Sequence, residues 1–252
     1  MNAEKHRPET KAPTSHRQTE RLVGKFDRRL KRWGGLIVDQ FGEEAAAAMR
    51  GELLDEYRRL IPEVPYIGGR RNMFSDHLAA AARQLAIYRV VVRHGGSLED
   101  TGELMHRIAR VEFGRVPRVL RPWIVRVAYG RRRLERAARH SQARRYPSDF
   151  VFEFVEGDGE TFDFGIDFTE CAYQKFLHAQ RADEWAPYGC DLDYVMADVM
   201  GYGLQRTKTL AWGCDRCDLR FSKLGVTSAP WPPEFVEQTC GEPGTKERTA
   251  MS

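Results

Sequence analysis

The sequence predicts an α+β protein: an all-helical N-terminal half packed on a small antiparallel sheet, with two helices in the C-terminal half. Two observations predict it. Apolar residues recur at helical spacing from about residue 17 to 145, and at Tyr146-Pro147 the period changes to alternation. The charge balance changes at the same place: residues 1–147 carry 31 Lys and Arg against 17 Asp and Glu, or +14, and the remaining 9 against 19 leave −10. The division is a disordered tail over 1–16, a helical region over 17–145, an α+β region over 146–225 and an irregular tail over 226–252.

Taken in order, GEEAAAAMRGELLDEYRRLIP reads as a helix ending at Pro62, and VPYIGGRRN as a loop. Ser75 is placed to cap a helix in which Leu78, Ala81, Ala82, Leu85, Tyr88 and Val92 share a face, and Gly95-Gly96 stops it. Ser97 opens another, with Leu104, Ile108 and Val111 on one side and Pro117 beyond its end. Phe150, Phe152 and Phe154 alternate, EGDGE turns, and Phe162, Phe164, Ile166 and Phe168 alternate again: a hairpin with one apolar face. Thr169 is expected to cap a helix through ECAYQKFLHAQ, and Asp191 one through LDYVMADVMGYGL. TLAW and CDLRFS read as a second strand pair, and the chain beyond Ser222 is rich in Pro and Gly.

With 252 residues, 42% hydrophobic and 30% charged, the chain can bury a full core, and bulk disorder and a fibrous fold are excluded. Neither a long apolar run nor a charged-then-apolar leader is visible, which predicts a soluble, unexported, cytoplasmic protein with no membrane partner. Cys171, Cys190, Cys214, Cys217 and Cys240 all lie in the C-terminal third. In a reducing compartment such cysteines serve as ligands, nucleophiles or small buried hydrophobes more often than as disulfides.

The stretch GCDRCDLRF holds the one CxxC, Cys214 and Cys217. Cys171 is expected in a helix's first turn, where free N–H groups lower a thiol's pKa. Cys190 precedes the capping Asp191. Cys217 opens a strand with Leu219 and Phe221 on its own face and Asp218 and Arg220 on the other, and Cys214 reads as incidental. A zinc site would draw on Cys171, Cys190 and Cys217 with one Asp, and Cys240 or His178 are further donors, but no second CxxC or CxxH completes the pattern. A thioredoxin-like redox pair is disfavoured because the second cysteine leads into a strand. A third reading uses the acids: Asp191, Asp193 and Asp218 beside a thiolate suit an amidine-like cation, and Arg206 with Thr207 and Thr209 suits a carboxylate. Against it, each Asp alone reads as a helix cap or solvated turn. No histidine lies in these motifs, so a Cys-His or Ser-His-Asp arrangement is not suggested.

FDFGIDFTECAYQKF, APYGCDLDY and GYGLQRTKTLAWGCDRCDLRF together resemble the L-2-amino-thiazoline-4-carboxylic acid hydrolase family. The likeness is strongest over about 146–222 and extends loosely through PYIGGRRN, LAIYRVVVRHGG and SQARRYPSDFVF. Its signature is an ordered series of TEC, C-x-x-D, R-T-x-T-L and CDLRF, with Leu219 standing where the family has an aromatic residue. The resemblance implies a bacterial hydrolase of carbon–nitrogen or carbon–sulfur bonds in a small non-peptide heterocycle. In the corresponding chemistry a cysteine attacks the ring carbon, or a carboxylate activates water to do so. Cys171 is the first candidate nucleophile and Cys217 the second. Asp191, Asp193 and Asp218 would grip the amidine edge and move protons, and Arg206, Thr207, Thr209 and Cys190 would bind substrate. No cofactor is expected, with zinc and a homo-oligomer left as open readings.

The rival class is nucleic-acid binding. Residues 117–145 contain ten arginines and one acid, with Trp123 and Tyr129 interleaved. No helix-turn-helix, finger or RNA-binding signature accompanies them, and the same run could pack against the protein's own acidic half.

Overall fold

The structure is a computed structural model that describes residues 15–223, 225–233 and 240. Among these residues six α-helices make up the N-terminal half: α1 (His16–Phe41), α2 (Glu43–Leu60), α3 (Ser75–Arg93), α4 (Leu98–Gly114), α5 (Arg121–Ala128) and α6 (Arg131–Ser141). The C-terminal half adds β1 (Val151–Glu156), β2 (Phe164–Glu170), α7 (Ala172–Ala179), α8 (Ala186–Met200), β3 (Gly203–Arg206) and β4 (Cys217–Ser222). The α+β architecture is the one the sequence predicts. Most of the tail expected over 1–16 lies outside the described residues, but Ser15 already caps α1, its hydroxyl accepting from the Gln18 amide at 3.3 Å.

Val23, Phe26, Leu30, Trp33 and Ile37 recur every three or four residues along α1 and are buried. Gly42, at φ 84°, both ends α1 and precedes α2, a conformation few other residues adopt. Pro62 ends α2 in a 3-10 turn. The start of α3 differs from expectation: Phe74 occupies the cap position, and the Ser75 hydroxyl donates to the Gly69 carbonyl at 2.6 Å instead of capping. Ser97 and Asp100 close a reciprocal capping box at α4, with bonds of 3.0 and 2.8 Å.

The sheet order is β1-β2-β4-β3, all antiparallel. TLAW is not a strand: β3 is the earlier Gly203–Arg206, and Leu210–Trp212 is a 3-10 turn. The reason is local. The Asp218 carboxylate accepts from the Thr207 and Lys208 amides and so draws the chain out of sheet pairing. Register then brings Ile166, Leu219 and Arg206 into one cross-strand row and Phe168 and Cys217 into another.

Phe74 at the head of α3 ties the halves together, its ring centroid 5.1, 5.3 and 5.4 Å from those of Phe150, Phe152 and Phe168. One buried core runs from α1 through β1 and β2 to α7. α4 lies close on α8, where a side chain at Gly102 would meet Tyr188 and Trp231 at 2.5 Å. The described part of the C-terminal tail is without helix or strand but is pinned: Thr227 donates to Tyr202 and accepts from the Leu204 amide. Among the described residues no helix is long and apolar enough to cross a membrane.

Candidate functional site

A cleft of about 560 Å³ opens between α1, α3 and α4 on one side and the sheet with α7 and α8 on the other. Strand alternation turns Cys217, Leu219, Phe221 and Arg206 into it, as predicted for Cys217, and leaves Asp218 and Arg220 on the opposite face. Cys171, Cys190 and Asp193 also line it.

Cys171 is the residue between strand and helix, and the expected Thr169 cap is not made. Thr169 stays in β2, where its hydroxyl donates to the Val151 carbonyl at 3.3 Å, and Cys171 itself takes the cap position. The anticipated lowering of its pKa is also overturned. The amides of Gln174 and Tyr173 draw the value down, without closing a cap hydrogen bond, but burial outweighs them and pushes the thiol up to about 12. Burial likewise raises Cys190 and Cys217, so the three free thiols are protonated at neutral pH, and a charge on Cys217 would further penalise ionisation of Cys171 and Cys190.

Cys190 and Asp191 do not stand at a helix start. α8 begins four residues earlier than Cys190, at Ala186, with Pro187 in its first turn, so both residues are interior to the helix. Gly189 in that first turn permits close approach: a side chain there would sit 1.8 Å from the Tyr173 hydroxyl of α7. One turn apart, Cys190 and Asp193 share a face of α8 and reach the cleft together.

Asp193 and Arg206 form the charged centre. The Arg206 Nη1 lies 3.5 Å from Asp193 Oδ2, its Nη2 donates to the Cys190 carbonyl at 3.1 Å, and its guanidinium covers the Tyr194 ring at 5.0 Å. Only 6% of the Arg206 side chain is exposed, and its Nε has no partner among the described residues. Asp193 keeps 37% exposure, which opens into the cleft it lines. Burial raises its pKa, and Arg206 and His77 oppose that rise. Asp191 lies outside the cleft lining, with its carboxyl pushed up to about 6 by burial, an effect Arg206 opposes and Asp193 reinforces.

The remaining predicted residues are not brought to the cleft. Asp218 locks the turn after β3, bonding the Thr207 hydroxyl as well as two amides, and Thr207 is thereby committed to it. Thr209 is buried, its amide donating to the Cys214 Sγ at 3.2 Å. Cys214 is not incidental: it is paired with Cys240 across 26 residues, at a Cα–Cα distance of 4.6 Å, where the sequence suggested free thiols. Among the described residues no three His, Cys, Asp or Glu side chains are disposed to hold a metal ion. His178 faces away, on Asp183 at 3.0 Å.

The helical half supplies residues the sequence reading did not assign: His77, Arg83 and Gln84 from α3, Arg29 from α1 and Glu112 from α4. Gln84 accepts from the Tyr173 hydroxyl at 2.6 Å, which ties α3 to the Cys171 wall. The available signal was the polar residues flanking the apolar stripe of α3. The basic segment, by contrast, meets the acidic half: Arg131 reaches Glu156 at 2.6 Å and Arg144 pairs with Glu170.

A family model described as L-2-amino-thiazoline-4-carboxylic acid hydrolase matches residues 77–221, from α3 through β4. No curated protein and no solved structure matches the chain.

Proposed function

Because the chain belongs to the L-2-amino-thiazoline-4-carboxylic acid hydrolase family, we propose that it hydrolyses a small cyclic isothiourea of that kind in the cleft between its halves, with Cys171 as nucleophile. The observation that carries the reading is the convergence of three free thiols and the Asp193–Arg206 pair on one cleft. The ring carbon of a 2-amino-thiazoline is bonded to two nitrogens and a sulfur, and at neutral pH the group is an amidine-like cation. Asp193 is suited to receive that cation, and Arg206 acts as a positioning residue that holds Asp193.

A protonated thiol is a weak nucleophile, so activation falls to the substrate and Asp193. The bound cation counters the burial that keeps Cys171 protonated. Sulfur of Cys171 adds to the ring carbon while its proton passes to Asp193; the ring sulfur then departs, taking that proton and becoming a free thiol. Water adds to the enzyme-bound carbon, the bond to Cys171 breaks, and the thiol is restored, leaving an open-chain carbamoyl product. Over the two steps one water is consumed, and because the substrate enters as a cation and the carbamoyl product is neutral, one proton is released to solvent. The raised pKa of Asp193 supports its part, since a carboxylate with a higher pKa is a stronger base and takes the thiol proton more readily.

Quenching the reaction and mapping the protein by mass tests this. An adduct on Cys171, together with loss of turnover and an unchanged melting temperature in Cys171→Ala, is the expected result. Retained turnover in Cys171→Ala would assign the addition to water.

A further inference from the structure

Arg29 of α1 and Arg83 of α3 project into the cleft from the wall opposite the sheet, and both are half-buried. Two guanidiniums in one wall need anions, and the protein supplies little. Arg83 makes a hydrogen bond to the Ala79 carbonyl of its own helix, at 3.0 Å, and no ion pair among the described residues. Arg29 lies 3.5 Å from Glu112, but that carboxylate is already bonded at 3.0 Å by both Arg32 and the Trp33 indole. Of the other acids lining the cleft, Asp193 is held by Arg206, and Asp76 lies two turns away from Arg83 along α3 without pairing to it. Burial and then the repulsion of Arg83 pull the Arg29 pKa below its ordinary value, against the opposing pull of Glu112, as expected of two guanidiniums close together.

We infer that Arg83 and Arg29 form the anchor for the carboxylate of the substrate. The inference rests on the hydrolase reading for the identity of the ligand. It moves carboxylate recognition from Arg206, whose guanidinium is committed to Asp193 and Cys190, to the helical half. A carboxylate held there carries its ring toward the sheet wall, and the Gln84–Tyr173 bond fixes Arg83's turn of α3 against the element that bears Cys171. A planar guanidinium pairs with a carboxylate through two parallel bonds, so the anchor also orients the ring. Arg29 lies outside residues 77–221 and Arg83 within them, so recognition draws on both parts of the chain.

The test is calorimetric titration of the full chain with 2-aminothiazole-4-carboxylate, an aromatic ring that resists hydrolysis, beside 2-aminothiazole without the carboxylate. The wild type is expected to prefer the carboxylate by at least about tenfold, and Arg83→Gln and Arg29→Gln to erase the preference while leaving the weaker ligand's affinity unchanged. Arg32→Gln, which removes a Glu112 partner outside the cleft lining, is expected to keep it. No preference in the wild type, an undiminished preference in Arg83→Gln, or a loss confined to Arg206→Gln would overturn the assignment. A wild type that shows the preference but opens no ring refutes the hydrolase reading and leaves the anchor standing.

Discussion

Alkylation of Cys171 by iodoacetamide near pH 7.5 is expected to run about fiftyfold slower than that of an unhindered thiol. The magnitude follows from its surroundings. Raising the thiol from 9.0 to about 12 lowers its thiolate population about a thousandfold. A more basic thiolate attacks faster, by about twentyfold for such a rise at a Brønsted slope of ~0.4–0.5, which leaves a net slowing of about fiftyfold. Timed alkylation followed by peptide mapping reads the rate at Cys171 apart from Cys190 and Cys217. Alkylation of Cys171 in the free protein faster than that of glutathione would refute the argument, because the helix-start amides would then outweigh burial.

Asp191 sets a pH dependence of stability. Its carboxyl titrates near 6 when folded against an ordinary 3.8, so between those values the unfolded chain releases the proton first and stability falls as pH rises. Asp191→Asn should therefore melt like the wild type below about pH 4 and be more stable by about 1–2 kcal/mol above pH 6, a figure reduced for partial exposure to solvent; equal stability at both ends would remove the claim. Arg206→Met leaves Asp193 without its opposing charge and should cost about 3 kcal/mol in urea unfolding, and an unchanged midpoint would mean that the pair is solvated. Ser97→Ala breaks the capping box of α4 and should cost about 1 kcal/mol, read as a fall in melting temperature, unless α4 is held by α8 alone.

Features set by local chemistry were legible in the sequence. The alternation of Phe150, Phe152 and Phe154 against Phe164, Ile166 and Phe168 gives the hairpin, and the Ser97 cap and the inward face of Cys217 need nothing distant. Features decided by partners far along the chain were not. Asp191 looks like a helix cap until α8 is seen to begin at Ala186, and TLAW looks like a strand until Asp218 takes the preceding amides. Cys171 shows the same limit in energetic form. The sequence reveals the amides next to the thiol but not the desolvation that outweighs them. Of the proposed site residues, Cys171, Cys190, Cys217, Asp193 and Arg206 meet in the cleft, whereas Asp191, Asp218, Thr207 and Thr209 sit beside it in the helix and turn that hold it. Arg29, His77 and Arg83 escaped notice because a charged residue flanking a helix's apolar stripe looks like a solvated one until another element covers it.

Opening of a cyclic isothiourea in the cleft is read by incubating the purified chain with L-2-amino-thiazoline-4-carboxylate and following thiol release with a chromogenic disulfide. The wild type is expected to free one thiol per ring opened, and Cys171→Ala none above background. A correctly folded wild type that frees no thiol while leaving the ring intact would contradict the proposed hydrolysis.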